Sequence, residues 1–173
     1  MNEVLKCLKE RRSTKKFRPE QISQTELDEI LQAGTYAPNG MGVQAAKIVV
    51  LQKKEDIDAL ERMNAAVMGA PGAKPFYGAP TVCVILAKAD AFTGVEDGSL
   101  VIGNMLNAAE SLGVGGCWIH RARQEFASPE GQALLKKWGI EGNYIGVGHC
   151  VLGYRDGEAK PAAPRKADYI VRV

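Results

Sequence analysis

The sequence contains few of the residues that usually mark a reactive site. It has two histidines and four cysteines in 173 residues, and no two cysteines have the CxxC spacing of zinc or thioredoxin-type motifs. His120 and His149 are too far apart for a local metal motif such as HExxH. We therefore interpret the cysteines as buried free thiols and predict no metal site.

Long apolar runs and a large excess of one charge are also missing. The longest apolar run, residues 79–87, is too short to span a bilayer. The first ten residues carry four charges, unlike a signal peptide. A net charge of +2 gives no basic field for nucleic acid. These absences predict a cytoplasmic protein with neither a membrane nor a nucleic-acid partner.

The composition is that of an ordinary globular chain. Hydrophobic residues make up 46% and charged residues 24%, and the length suits a single domain over residues 1–173. Many of the nineteen glycines stand singly between apolar runs, which indicates places where the backbone must approach a neighbour closely.

Hydrophobic periodicity predicts helices that cover a small sheet, in α/β or α+β order. The helix over 96–112 is apolar nearly all round, which predicts burial in a core or in a subunit interface. The predicted helices follow Asn2, run from a Ser23–Glu26 capping box to Gly34, cover 56–67 and 96–112, and begin at Pro129. The predicted strands are 47–51, 81–87, 115–120, 144–154 and 168–173.

The familiar nucleotide and hydrolase motifs are absent, and basic clusters remain. There is no P-loop, no GxSxG and no paired carboxylate pattern, and the glycines at 113–116 and 146–148 do not complete a GxGxxG turn before a helix. Forked guanidinium groups, a lysine and a hydroxyl suit a phosphate monoester. The alternative is a set of solvated surface charges. The candidates are Arg11, Arg12, Ser13, Lys15, Arg165 and Lys166.

Six segments carry a further signal when they are taken in order. They are RRSTKKF at 11–17, APNGMGVQ at 37–44, GAPTVCVILA at 78–87, EDGSLVIGNMLNAAESLGVGGCWIHR at 96–121, YIGVGHCVLGY at 144–154 and PRK at 164–166. Together they resemble the nitroreductase family of FMN-dependent flavoproteins. The resemblance implies an α+β, three-layer fold with a central, mostly antiparallel sheet flanked by helices. It also implies an intertwined homodimer with FMN at the subunit interface, in which the tail strand often crosses to the neighbour.

The resemblance also implies roles for individual residues. Arg11 and Ser13 match residues that hold the FMN phosphate and ribityl chain, with Arg12 between them. Lys15 matches the cation at the N1/O2 edge of the flavin, where reduction places negative charge. The remaining implied contacts are Pro38, Asn39, Gly40 and Gln44 from the partner subunit, Trp118, Ile119 and His120 at the N5/O4 edge, and Arg165 and Lys166 at the phosphate.

Some positions depart from the family pattern. The family's partner segment commonly reads PSxxNxQPW, whereas this chain has Asn39 in place of the serine, Gly42 in place of the asparagine, and Ala45 and Ala46 at the last two positions. The loss of the aromatic predicts a different pocket wall. Relatives often carry glycine or glutamate where this chain has His120. That histidine either contacts substrate or donates a proton, or its backbone alone matters.

The function implied by the resemblance is reduction through a tightly but non-covalently bound FMN. The enzyme takes hydride from NADH or NADPH and reduces nitroaromatics, quinones or similar acceptors in a ping-pong cycle. No side chain is expected to be catalytic in its own right, because the flavin carries the chemistry. The alternatives are another flavin reaction, such as reductive dehalogenation or flavin cleavage, and a flavin-storage protein with little turnover.

Overall fold

A computed structural model describes residues 1–173 as one four-stranded sheet with helices on both faces. The strands are β1 (Ala46–Leu51), β2 (Thr81–Lys88), β3 (Gly115–Ile119) and β4 (Tyr144–Gly153). The helices are α1 (Glu3–Glu10), α2 (Gln24–Thr35), α3 (Lys54–Val67), α4 (Gly94–Ser111), α5 (Ala122–Ala127) and α6 (Pro129–Lys137). No helix has both the length and the apolar character needed to cross a membrane.

The sheet has the order β1-β2-β4-β3, and all its strand pairs are antiparallel. β2 lies inside the sheet, and its residues 81–87 are buried, as its unbroken apolar run predicts. A register shift between Ile85 and Leu86 marks an irregularity in its pairing with β4. The predicted mostly antiparallel, α+β arrangement is confirmed.

Alternate residues of β2 enter two separate cores. Val82, Val84 and Leu86 pack on the side of α3, α5 and α6. Cys83 and Ile85 pack on the opposite side, against α2 and α4. This alternation is the period-two pattern of a strand with both faces covered, and it produces the three layers.

The predicted helix starts are confirmed by side-chain caps. Asn2 Oδ1 accepts a hydrogen bond of 2.9 Å from the Leu5 amide. Ser23 and Glu26 form the reciprocal capping box. Ser128 Oγ accepts from the Gly131 amide at 3.1 Å, directly before the proline that opens α6.

Two predicted elements need correction. The tail strand predicted over 168–173 is wrong for the single chain, because no strand follows β4 and Tyr169, Ile170 and Val171 are exposed. Alternation makes a segment able to pair, but a strand forms only where the segment lies along a sheet edge. The sequence reasoning also missed α5, whose six residues are too few to show a helical period.

One side of helix α4 is buried in the core of the single chain, and the cover of its other side by a subunit interface stays a prediction. Val101, Ile102 and Met105 enter the core, whereas Leu100 is 46% exposed. Helix α1 has no buried residue, and the apolar face formed by Val4, Leu5 and Leu8 is exposed. These faces leave more apolar surface uncovered than isolated exposed side chains would.

The cysteines are free thiols, as predicted, and three of them are buried. Burial raises the pKa of the Cys83 thiol to about 12 and also raises the pKa of Cys150. Cys7 is only half-buried, and its thiol donates to the Asn107 carbonyl on α4 at 3.2 Å. The buried thiols therefore act as small apolar side chains.

Helix α5 is fixed to β4 by a buried polar pair and by close packing. Glu125 Oε2 and His149 Nε2 are 2.5 Å apart, and both side chains are fully buried. The other polar atoms of this pair, Glu125 Oε1 and His149 Nδ1, have no partner. A Cβ on Gly146 would lie 2.2 Å from the Ala122 carbonyl oxygen, so only glycine allows α5 this close to β4.

We predict that His149→Leu lowers the free energy of unfolding by about 3–5 kcal/mol, because it leaves a buried carboxyl group without its partner. The double variant Glu125→Leu/His149→Leu removes both polar groups and should recover most of that loss. Urea unfolding of both single variants and the double variant measures the coupling. Strictly additive losses would contradict this account of the pair.

Candidate functional site

The basic segment 11–16 lies along the sheet edge formed by β3. Ser13 forms a parallel bridge with Gly116, and the Thr14 amide donates to the Gly116 carbonyl at 3.0 Å. A Cβ on Gly115 would lie 2.7 Å from Thr14 Oγ1, so the glycine permits this approach. The pairing fixes where the charged side chains of this segment leave the backbone.

These side chains line a cleft of about 650 Å³, which we call the basic cleft. Its walls come from the segment after α1, from the end of β4 and from the tail. Arg11, Arg12, Ser13, Lys15 and Arg165 therefore meet at one place, although about 150 residues separate the two basic clusters in the chain. The other lining residues are Thr14, Lys16, Arg155, Asp156, Gly157, Glu158, Ala159, Lys160, Pro161, Ala162 and Ala163.

Two guanidinium groups in the basic cleft keep buried nitrogen atoms without a partner. These atoms are Arg11 Nη1 and Arg12 Nε. Arg12 Nη1 donates to the Lys9 and Arg11 carbonyls, at 2.8 and 2.6 Å, so Arg12 also closes the end of α1. A buried donor without an acceptor costs about 1–3 kcal/mol. The guanidinium groups, the lysine and the hydroxyl that line the cleft are the donor types that suit a phosphate group.

Arg155 lines the same cleft and was missed by sequence reasoning. Its Nε donates to Thr14 Oγ1 at 3.0 Å, and its Nη2 pairs with the Glu110 carboxylate on α4. Arg155 therefore connects the end of β4, the basic segment and α4. A single arginine after a strand has no pattern that distinguishes it from a surface charge.

Cys117 lies beneath the basic segment. Burial raises the pKa of its thiol, while a hydrogen bond with Ser13 and the nearby charges of Lys15 and Arg11 act in the opposite direction. The Cys117 side chain belongs to the hydrophobic core on the α3 side of the sheet. Its net raised pKa favours the neutral thiol over a reactive thiolate.

The end of β3 does not line the basic cleft. Ile119 is buried, Trp118 is half-buried, and the His120 side chain is exposed. The His120 carbonyl accepts a hydrogen bond from Asn64 Nδ2 at 2.9 Å, and Asn64 Oδ1 accepts from Arg121 Nε at 2.9 Å. The backbone of this turn is therefore held in place from α3.

The predicted segment 37–44 lies elsewhere in the same chain. Asn39 and Gln44 line a separate cavity of about 360 Å³ beside α2 and α4. The Gly40 amide donates to the buried Asp97 at 3.0 Å, and the Gln44 amide donates to Asn39 Oδ1 at 2.9 Å. Pro38 and Gly40 line neither cavity. One chain thus does not bring this segment to the basic cleft.

The tail contributes one of its two predicted cations to the basic cleft. Arg165 lines it, with Nε and Nη2 donating to the Ala163 carbonyl at 3.2 and 2.7 Å. Lys166 is exposed and does not line the cleft. In the single chain, the phosphate contact expected of the tail rests on Arg165.

Fold and cleft together define a class: a three-layer α+β protein with a cleft lined by basic side chains at the edge of its sheet. The chain belongs to the nitroreductase family, which matches residues 8–154. This confirms the resemblance seen in the sequence.

Individual relatives agree with this assignment. A nitroreductase structure with bound FMN from Bacteroides fragilis is 30% identical, covers 100% of both chains and superposes with a TM-score of 0.91. Another, also with bound FMN, from Desulfitobacterium hafniense is 27% identical, covers 100% of this chain and 99% of its own, and has a TM-score of 0.89. An Archaeoglobus fulgidus protein with the provisional name NADH dehydrogenase/NAD(P)H nitroreductase is 30% identical over 89% of this chain and 86% of its own.

We predict that Arg155→Met exposes the Thr14 amide, because the variant loses the contacts to Thr14 and Glu110 that hold the basic segment against β3. Hydrogen exchange at that amide should accelerate about tenfold or more. Lys16→Met is the matched control, since it removes an exposed pair with Asp156 that contributes little. Equal exchange in the two variants would show that Arg155 does not hold the segment.

Proposed function

We propose that the protein is an FMN-dependent oxidoreductase that takes hydride from NADH or NADPH and reduces nitroaromatics, quinones or similar acceptors in a ping-pong cycle. The observation that carries the proposal is the basic cleft, in which Arg11, Arg12, Ser13 and Lys15 meet Arg165 from the other end of the chain. The FMN bound in related nitroreductase structures supports the same assignment.

The residues of the cleft suit the parts of FMN. Arg11, Arg12 and Arg165 offer guanidinium donors to a phosphate, and Ser13 offers a hydroxyl. Lys15 lies on the same segment and provides a single cation for the ring edge that gains negative charge. FMN, when bound, supplies the hydride acceptance and the onward electron transfer. The chain itself then binds, orients and stabilises charge, and needs no nucleophile.

We propose further that the complete site is shared between two copies of the chain. The segment with Asn39 and Gln44 lies away from the basic cleft of its own chain, so a second chain must bring it to the flavin. The exposed apolar faces of α1 and α4 offer the surface for such a homodimer. The six-residue tail 168–173 matches in length the free edge strand β1, which suits strand exchange.

The other residues that the resemblance assigns to the flavin site would complete it. Pro38 and Gly40 would approach the ring with Asn39 and Gln44 of the partner chain. Trp118, Ile119 and His120 would present backbone at the N5/O4 edge, and Lys166 would support the phosphate. We place this activity in the cytoplasm.

The deciding experiment is an absorbance spectrum of the purified protein, followed by anaerobic titration with NADH and with NADPH. The proposal expects a flavin spectrum that bleaches on titration and returns when a nitroaromatic or a quinone is added. Protein expressed with ample FMN that carries no flavin would refute the proposal. Flavin that stays oxidised for hours would favour storage, and turnover of an iodinated phenol alone would favour dehalogenation.

The mass measured by sedimentation tests the proposed dimer. A monomer that retains FMN would contradict the shared site.

We predict that Arg11→Ala weakens FMN binding about ten- to a hundredfold, because it removes charge-assisted hydrogen bonds to the phosphate. Arg123→Ala serves as the control, since Arg123 is exposed on α5 and does not line the basic cleft. Fluorescence recovery on release of FMN measures both affinities. Similar affinities in the two variants would remove Arg11 from the phosphate site.

We predict that Lys15→Ala slows reduction of the bound flavin by NAD(P)H about ten- to a hundredfold, because a fixed positive charge near the reduced ring is lost. FMN retention should change much less, since the phosphate contacts remain. Stopped-flow absorbance gives the reduction rate, and equilibrium dialysis gives the retention. Loss of retention with an unchanged rate would assign Lys15 to binding instead.

A further inference from the structure

Tyr77 lies next to Lys15, although 61 residues separate them in the chain. The Lys15 ammonium is 5.8 Å from the centre of the Tyr77 ring. Tyr77 belongs to the loop between α3 and β2, is half-buried and packs against the core on the α3 side. A cation at this distance from an aromatic face is held by the ring's quadrupole.

The backbone of Tyr77 is in an unusual conformation. Its φ is 57°, in the left-handed region that bulky residues rarely adopt. Such a conformation costs about 1–3 kcal/mol and persists only where the surroundings impose it. The position of the ring is therefore imposed by neighbouring contacts.

A buried carboxylate on α3 provides that constraint. Glu61 Oε1 accepts a hydrogen bond of 2.9 Å from the Phe76 amide, and the Phe76 side chain is fully buried. Glu61 Oε2 is 3.2 Å from the Lys74 ammonium. The Tyr77 amide donates to the Lys74 carbonyl at 3.0 Å. Two of the three residues that precede Tyr77 in this turn, Lys74 and Phe76, thus contact Glu61.

Lys15 has few other restraints. Its side chain is exposed, and a free lysine loses much rotamer freedom when it is held in one place. The Tyr77 ring reduces the number of positions open to the ammonium before any ligand arrives, so less freedom remains to be lost on binding.

We propose that Tyr77 is a positioning residue for Lys15: its ring holds the ammonium at the flavin edge, so that the protein favours reduced over oxidised FMN. The inference rests on the proposed function. It assigns a role to a loop residue that contacts Lys15, the cation expected at the flavin edge. The sequence resemblance left Tyr77 without a role.

The test compares the affinities of the protein for oxidised and for reduced FMN under anaerobic conditions. Tyr77→Leu should lower the preference for reduced FMN about three- to tenfold, the range of a partly exposed cation–π contact. Tyr77→Phe keeps the ring and should retain the preference within about twofold, because the ring face makes the contact.

Two controls separate positioning from general damage. Lys47 lies 5.7 Å from the Tyr144 ring, and neither residue lines the basic cleft, so Tyr144→Leu makes the same change at the same kind of contact elsewhere. It should leave the preference unchanged. In a Lys15→Met background, Tyr77→Leu should have no further effect on the preference, because the cation that it positions is gone.

The outcomes are distinguishable. Tyr77→Asn removes the ring with a residue that tolerates left-handed backbone, and it replaces the leucine variant if that variant fails to fold. An unchanged preference in the ring-less variant, or an effect that persists without Lys15, would overturn the inference alone. Wild-type protein that binds no FMN would overturn the proposed function and this inference with it.

Discussion

The pairing of the basic segment with β3 is the constraint on which the candidate site depends. One hydrogen bond, from the Thr14 amide to the Gly116 carbonyl, and the close approach that Gly115 permits bring the run of cations against the sheet edge. Arg155 holds the same segment from the end of β4. Without this attachment the charges would be independent and solvated, which is the alternative that the sequence alone leaves open.

The attachment also explains why the basic cleft keeps unmet hydrogen-bonding capacity. Arg12 uses one nitrogen to close α1, which holds its guanidinium group, and the Arg11 backbone caps the same helix. Each of the two guanidinium groups keeps one buried nitrogen without a partner. A donor set that is fixed before binding loses little entropy when an oxyanion arrives, which favours tight and oriented binding.

Much of the fold could be predicted from local sequence, because local chemistry determines it. The apolar run of β2 and the caps at Ser23 and Ser128 each act within a few residues. What escaped prediction depends on distant partners. Arg155 acquires its role from Thr14 and Glu110, and Glu125 acquires its role from His149. The tail has the alternation of a strand but pairs with no strand of its own chain. The meeting of Arg165 with Arg11 followed from the family resemblance, since spacing carries no such information.

The strained backbone positions lie in or next to the segments of the candidate site. The non-glycine residues with positive φ are Met41, Gln44, Tyr77 and Arg121. Two belong to the segment proposed to reach the partner's flavin, one lies against Lys15, and one directly follows His120. Strained residues persist where surrounding contacts impose them, and such positions concentrate at functional sites. Asp97 accepts a hydrogen bond from the Gly40 amide, directly before Met41. Glu61 accepts one from the Phe76 amide, directly before Tyr77. Asn64 donates one to the His120 carbonyl, directly before Arg121. Buried polar side chains of α3 and α4 thus hold all three loops in place.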